Sequence, residues 1–384
     1  MPNVIAPSPT QIPVGWRRDS TRPAELRDAN FDEEHDGTTL FYDAFWSGSE
    51  VLLLGPPLNN LTSTMQDLRV VALPSGTPCT FRTRTLELHQ QLWVSAPAGT
   101  SCLVLSTGMG EIIVAVKPRR ASPLAGRRVL CTMSKDNELV WIEDWVRFHR
   151  DLHGADAVLV YDNASTAYAA ELLQERLSAL AGIAVAQVVT WPYRYGPQGF
   201  QKLGYWDSTY SQPGVFEHAR WSLLAEARSV MNGDVDEVVH SRDGARLFEA
   251  VEASRFGVLR YNGLWMPTTD RSRVSADQPP RYRDFEHHLD PKIDWTRRPP
   301  RRSFSSPKWA VVPSRCPPRA QWQVHRVKRW PAAAVITPTF SYRHYRRLSN
   351  GWKYDRADAQ AYDPAMHSYD AGLVRDYQRV RWDC

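Results

Sequence analysis

The sequence predicts an α/β fold, a mainly parallel sheet with helices on both faces, preceded by a small β-rich domain. Three observations carry this. From Thr38 to Lys117, short apolar runs alternate with Gly, Pro, Ser and Asn clusters, the texture of antiparallel strands joined by turns. After Arg128 the texture becomes strand, helix, strand, which implies parallel pairing with both faces covered. A chain of 384 residues also exceeds one ordinary core, so two units are expected.

Taken in order, residues 1–36 are rich in Pro, Asp, Glu and Arg and read as an irregular N-terminal arm. The β-rich domain is expected over residues 37–122, on runs such as Leu40–Phe45, Val51–Leu54, Leu68–Leu73, Leu86–Val94, Cys102–Leu105 and Glu111–Val116. Lys117–Arg128, with its Pro, Arg and Ser, reads as a linker, and residues 123–384 form the α/β domain. There Arg128–Thr132 is a short apolar strand. Leu139, Ile142, Trp145, Val146, His149 and Leu152 repeat at three and four, one face of a helix. Ala157–Tyr161 is a second buried strand. Ala169, Leu172, Leu173, Leu177 and Leu180 mark a second helix that stops at Gly182, and Ile183–Val189 is a third strand. A third helix, from about Phe216 to Val230, leads into Met231-Asn-Gly-Asp-Val-Asp-Glu.

Composition narrows the function. Fifteen tryptophans offer either platforms for sugar rings or bulky core residues. The net charge is only +5, yet Arg297–Lys353 holds fourteen Lys/Arg and no Asp or Glu. Such a block points to an anionic partner, phosphate or lipid headgroup; it lacks a nucleic-acid motif, so nucleic acid is not expected. Five scattered cysteines without C-x-x-C spacing argue against a disulfide framework or a zinc site. With no apolar run of about 18 residues, the chain is expected to be cytoplasmic, its basic region allowing peripheral contact with the inner membrane surface.

Ligands of parallel sheets lie beyond the carboxyl ends of the strands, and three polar clusters fall there. Met133–Glu138 places Lys135, Asn137 and Glu138 where a helix begins, suited to phosphate or nucleotide groups and equally to capping. Tyr161–Thr166 offers Asp162 and Asn163 to a base or ribose, or to a turn. In Asp234-Val235-Asp236-Glu237, extended alternation turns both aspartates to one side. Two hard oxygen ligands suit Mn²⁺ or Mg²⁺ together with a diphosphate. His325 and His344 lie in the basic block, and spacing alone does not choose which would complete a metal site.

These residues resemble a known pattern. Lys135-Asp-Asn-Glu138, Trp141-Ile-Glu-Asp-Trp-Val-Arg-Phe-His149 and Gly154–Ser165, ending Tyr-Asp-Asn-Ala-Ser, resemble glycosyltransferase family 92 and related family-2-like enzymes. Trp191-Pro, Gln212, His218 and the Asp234–Glu237 box follow in the order of that family, then Lys308-Trp-Ala-Val-Val-Pro313 and Val324-His325. The resemblance covers residues 128 to 345. It implies a GT-A fold (Rossmann-like), a nucleotide-diphosphate sugar donor with UDP-sugar favoured, a divalent metal and inversion at the anomeric carbon. By position it puts Asp162, Asn163, Lys135, Asn137, Glu138, Asp234 and Lys308 on the donor and Asp234, Asp236 and His325 on the metal. Gln212, His218 and Trp265 are assigned to a carbohydrate or lipid-linked glycan acceptor. The sequence departs from the pattern at Asp136, Asp144, Asn232-Gly233 and Val238, which bears on donor and acceptor identity.

Inversion requires a base for the acceptor hydroxyl. Of Asp270, Asp284, Glu286, Asp290 and Asp294, Asp284 is the expected base, flanked by Arg281 and Arg283. Two other classes compete: an anion- or nucleic-acid-binding module using the basic block, and a metal-dependent nucleotide-sugar phosphoesterase using the same aspartates.

Overall fold

The computed structural model describes residues 3–200, 203–204, 206–275, 278–294, 301–302, 304–348 and 360–383. Two sheets dominate, and no strand is shared between them. The first is wholly antiparallel: β1 (Asp43–Ser47), β2 (Glu50–Gly55), β3 (Arg69–Leu73), β4 (Thr77–Leu86), β5 (His89–Ser95), β6 (Cys102–Thr107) and β7 (Gly110–Ala115), in the order β1-β2-β5-β4-β3-β6-β7.

The second sheet uses β8 (Arg128–Ser134), β9 (Ala157–Asp162), β10 (Val185–Thr190), β11 (Ser229–Asn232), β12 (Glu237–Ser241), β13 (Val258–Met266), β14 (Ser305–Val311) and β17 (Phe340–Tyr345). A hairpin of β15 (Gln321–Gln323) and β16 (Arg326–Lys328) packs beside it. The order is β10-β9-β8-β11-β14-β13-β17-β12. Its first four strands run parallel, as the strand–helix rhythm predicts. β14 is antiparallel to both its neighbours, and β13 and β17 pair in parallel. No helix among the described residues is long and apolar enough to cross a membrane.

Helix α1 (Leu139–His153) connects β8 to β9, and α2 (Ala170–Ser178) connects β9 to β10. α1 ends as its sequence dictates, with Arg150 and His153 in the last turn and Gly154 left-handed at φ 78°. Its apolar face buries Ile142, Trp145, Val146 and Phe148 against β8, β9 and the 235–239 segment. The third helix departs from expectation. α3 (Ser211–His218) starts earlier, runs into one wide turn at Ala219–Leu223, and leaves Ser229–Asn232 free to be a strand. Pro213 sits in the first turn, where its missing N–H costs nothing. Val230 and Met231 are taken by parallel pairing with β8.

The arm over residues 3–36 is irregular, as expected, but it is bound. Ile5 bridges to Val189 on the edge strand β10, with Ile5 N–H donating to Val188 O (3.0 Å) and Thr190 N–H to Ile5 O (2.9 Å). Arg22, 1% exposed, pairs with Asp207 at 2.7 Å. The two sheets also share a core: Tyr42, Phe45, Leu52, Leu54 and Trp93 join Val129, Leu159, Phe216 and Trp309 in one cluster. α3 lies in that junction against β2 and β15.

Two buried histidines of α1 hold the helix to the sheet. His149 Nδ1 donates to Trp145 O (2.8 Å) and its Nε2 accepts from Val239 N–H (3.2 Å). His153 Nε2 donates to Val239 O (2.7 Å) and its Nδ1 accepts from Leu247 N–H (3.2 Å). Each ring therefore uses one protonated and one bare nitrogen and must be neutral. Burial pushes their pKa values down, to about 3 for His149 and about 4 for His153. Because the folded values lie below the unfolded one, the unfolded chain binds more protons below pH ~6.5. Stability should therefore fall as pH drops from about 6.5 towards 4, by up to ~1.4 kcal/mol per pH unit per histidine. Denaturant titrations of wild type and His153→Gln check this: the variant should show a shallower pH slope, whatever its absolute stability.

Candidate functional site

The clusters singled out in the sequence fall at one end of the eight-stranded sheet, where β8, β9 and β11 terminate in Ser134, Asp162 and Asn232. The Asp234–Asp236 loop follows β11 and is held from below. Tyr282 Oη donates to Val235 O, and Trp145 Nε1 donates to Glu237 O at 2.8 Å. Glu237 N–H donates to Asp234 O (3.0 Å), while Asp234 N–H donates to Glu237 Oε2 (3.0 Å). This reciprocal turn fixes the loop before any ligand arrives.

Strand register supplies the rest. Glu237 on β12 pairs with His344 on β17, which pairs with Trp265 on β13. Cross-strand neighbours share a face, so the three side chains meet. Trp265 stacks on His344 with ring centroids 4.1 Å apart and planes 22° from parallel. His344 Nε2 lies 3.0 Å from Asp236 Oδ2, and its Nδ1 lies 3.3 Å from Ser305 Oγ and 3.8 Å from Glu237 Oε1. Among the described residues Asp236, Glu237 and His344 are the group whose ligand atoms all lie within 4.8 Å of one another. Two carboxylates and an imidazole fit Mn²⁺, and fit Mg²⁺ less well because it prefers oxygen alone.

Beneath this group lies Lys308. Its Nζ is 2.7 Å from Asp234 Oδ2 and 3.0 Å from Glu237 Oε2, and the side chain is 1% exposed. Burial works to lower its pKa, but the two carboxylates outweigh that and hold it above its ordinary value. Burial pushes the Glu237 carboxyl up to about 7, against the opposing pull of Lys308.

Several expected roles change. Lys308, expected on the donor, is sealed under the loop as the counter-ion of Asp234 and Glu237. His325, expected as the metal's histidine, occupies the turn between β15 and β16. Loss of water around its ring and the adjacent Lys308 ammonium push its pKa down to about 4; His344 takes the place beside Asp236. Asp284, expected as the base, is a capping carboxylate that accepts from Arg281 N–H at 2.7 Å. His218, expected at the acceptor, is 2% exposed, with Nδ1 2.6 Å from Tyr161 Oη and Nε2 3.1 Å from Asp43 Oδ2. It lines a cavity of about 520 Å³ bounded also by Ile5, Phe45, Trp46 and Lys117, in the junction between the sheets. Gln212, on α3, accepts from Tyr195 Oη at 2.9 Å.

On the donor side, Asn163 spends its amide nitrogen on Trp191 O and Tyr193 O, both at 2.8 Å, so it shapes the chain after β10. Asn137 Nδ2 donates to Ser134 Oγ (2.9 Å), Lys135 Nζ reaches Ala164 O at 3.5 Å, and Glu138 stands exposed at the start of α1. Asp136, which breaks the family-like run, accepts from Thr166 N–H (2.5 Å) and Ala167 N–H (2.9 Å) and ties the β9 loop to the β8 loop. Asp162 is 4% exposed, its Oδ1 has no hydrogen-bond partner among the described residues, and burial raises its pKa. A buried carboxylate oxygen left unsatisfied at a strand end calls for a partner from outside the described residues, water or ligand. Tyr282 and Ser305, not singled out from the sequence, carry no local signal there. His344 had one, since alternation in Tyr342-Arg-His-Tyr places it on the face of Tyr342.

No protein-family model matches the chain, and no curated protein matches it. Among solved structures, the mannosyltransferase PcManGT from Pyrobaculum calidifontis, in complex with GDP-Man and Mn²⁺, is 20% identical at a TM-score of 0.24, over 36% of each chain. The mannosyltransferase Ktr4p from S. cerevisiae is 12% identical at a TM-score of 0.23, over 40% of this chain and 42% of that one. The matched part thus spans less than half the length of either protein. Likenesses of this size carry no argument about function.

Tyr342 sets the register of the site, lying over Gly263 with its Oη donating to Ser305 Oγ at 2.8 Å. A Cβ at Gly263 would stand 2.2 Å from the Tyr342 ring. Gly263→Ala should therefore destabilise the fold by about 1–3 kcal/mol through overpacking. Denaturant midpoints measure it, and an unchanged midpoint would mean that Tyr342 does not seat there.

Proposed function

We propose that this chain is a divalent-metal-dependent glycosyltransferase with a GT-A-type catalytic domain. It moves a sugar from a nucleotide-diphosphate donor, UDP-sugar favoured, to the hydroxyl of a glycan or glycolipid. The observation that carries the reading is the meeting of Asp236, Glu237 and His344 at the carboxyl end of a largely parallel sheet, with Trp265 stacked alongside. Asp236 and His344 would hold the metal, with Glu237 and Ser305 behind the imidazole to fix its orientation. The metal, when bound, supplies neutralisation of charge on the leaving diphosphate.

The protein's own residues do the remaining work. Asp162 offers its unpaired Oδ1 to a donor of hydrogen bonds on the nucleoside. Trp265 presents an indole for the apolar face of a sugar. Tyr282 and Trp145 hold the Asp234–Asp236 loop rigid, so the carboxylates need little reorganisation when donor binds. The resemblance to family 92 and family-2-like enzymes supports inversion; the base is unassigned, because Asp284 is committed to its cap.

The test is a panel of UDP- and GDP-sugars scored for Mn²⁺-dependent release of nucleoside diphosphate, with and without glycan acceptors. Wild type should turn over at least one donor, faster with acceptor. Asp236→Asn and His344→Gln should each lose at least ~100-fold in kcat, about 2.7 kcal/mol in the barrier, and remain folded. Donor consumption unaffected by any acceptor would favour the phosphoesterase instead. Activity above about a tenth of wild type in both variants would remove the metal role.

A further inference from the structure

The acidic loop carries three carboxylates, and two of them share one buried ammonium. Lys308 Nζ lies 2.7 Å from Asp234 Oδ2 and 3.0 Å from Glu237 Oε2, sealed from solvent at 1% exposure. The third, Asp236, faces His344 at 3.0 Å. We propose that Lys308 is a resident counter-ion that reserves Asp234 and Glu237, so that the site takes up a divalent cation only together with a nucleoside diphosphate. This rests on the nucleotide-sugar reading above and adds the order in which the ligands can bind.

The argument is one of ligand number and charge. With Asp234 and Glu237 held by an ammonium, Asp236 and His344 are what the loop can turn towards an ion. Mg²⁺ and ions like it fill an octahedron of six ligands and give up water reluctantly. Two protein ligands and water make a weak site. The Lys308 ammonium weakens it further, because like charges a few ångströms apart repel strongly where solvent does not screen them. A diphosphate reverses both terms: it brings oxygen ligands, and its negative charge is attracted to the ion and to Lys308 alike. Linkage then makes the effect mutual, the nucleotide tightening the ion by the factor by which the ion tightens the nucleotide.

Lys308 does not touch the donor in this arrangement. It is a positioning residue, acting through Asp234 and Glu237, whose reciprocal backbone bonds it also braces. Its trace is therefore in metal affinity without nucleotide, which a merely structural lysine would not raise when removed.

Mn²⁺ binding to the full chain, followed by the EPR signal of free Mn²⁺, decides the matter. It is measured alone and with saturating GDP or UDP. In wild type, Mn²⁺ alone should bind weakly and one of the nucleotides should tighten it by about tenfold or more. Lys308→Met should tighten nucleotide-free binding by about tenfold, because two carboxylates are released to the ion. Lys308→Arg, which keeps the charge, should keep the wild-type dependence. Equal Mn²⁺ affinity in wild type with and without nucleotide overturns the inference and leaves the metal site standing. Nucleotide dependence that survives in a folded Lys308→Met chain, with unchanged nucleotide-free affinity, overturns the role of Lys308. If Lys308→Met does not fold, Lys308→Gln, which also removes the charge but keeps a hydrogen-bond donor for the two carboxylates, takes its place with the same expected and overturning results. No Mn²⁺ binding under any condition overturns the glycosyltransferase reading and this inference together.

Discussion

A buried ammonium cannot stand alone. Lys308, on the central strand β14, is inside the protein, and only the carboxylates of Asp234 and Glu237 make that tolerable. Breaking such a pair costs about 3–5 kcal/mol, because it strands a charge in the interior. The site depends on this constraint. The loop after β11 must return over β14, and Glu237 must point inward where β12 begins. β12 must then pair with β17 so that His344 falls beside Glu237. Tyr282 and Trp145 complete the hold from the far side. The geometry around Asp236 is thus a by-product of solving the problem posed by one lysine.

The antiparallel sheet is fastened to the rest by a second set of buried charges. Asp43, 1% exposed on β1, accepts from Lys117 at 2.6 Å and faces His218 at 3.1 Å. Burial alone would raise its pKa, but His218 and Lys117 hold it below the usual carboxylate range. Around this pair lies the shared apolar cluster, with Trp93 edge-on to Trp221 at 4.9 Å. Many of the tryptophans therefore serve packing: Trp145, Trp191, Trp309 and Trp322 are among the largest fully buried side chains. Trp265, by contrast, lies in the candidate site, stacked on His344 and with the Arg346 guanidinium carbon 5.1 Å from its ring centroid.

How much was legible in the sequence follows from the range of the signals. Period and turn chemistry are local, so β8, α1, β9, α2 and β10 stand close to where the residue pattern puts them, as does the antiparallel character of residues 43–115. The acidic box was readable as a local cluster, but not the direction of its side chains: the expected extended alternation is replaced by a turn at Val235–Asp236, so that Asp234 meets Lys308 while Asp236 meets His344. Partner choice is not local. Whether His325 or His344 meets Asp236 depends on the pairing of β12 with β17, more than 100 residues apart in sequence. Separation in sequence likewise hides that Asn163 ties down the chain after β10, 28 residues on, and that His218 faces Asp43, 175 residues away. The third helix was misplaced because Val230 and Met231 fit a helix face and a buried strand equally well, and only pairing with β8 decides. For Asp284 the gap is of a different kind: an acid among arginines looks reactive in sequence, whereas its backbone cap is visible only in three dimensions.

The two outer strands of the eight-stranded sheet are attended by residues far from them in sequence. Ile5 lies along β10, and helix α4 (Ala371–Arg379) packs on β12, where His240 Nδ1 meets Asp376 at 2.7 Å. An open sheet edge templates association with other chains, and natural proteins guard such edges. Here one guard is Ile5 and the other is the helix over Ala371–Arg379. During synthesis the emerging chain must therefore carry β12 without that helix until about 130 further residues have been made. Chains stalled or clipped before residue 371 would keep the Asp234–Asp236 loop yet lose that guard. For such fragments the hazard is aggregation through the bared edge.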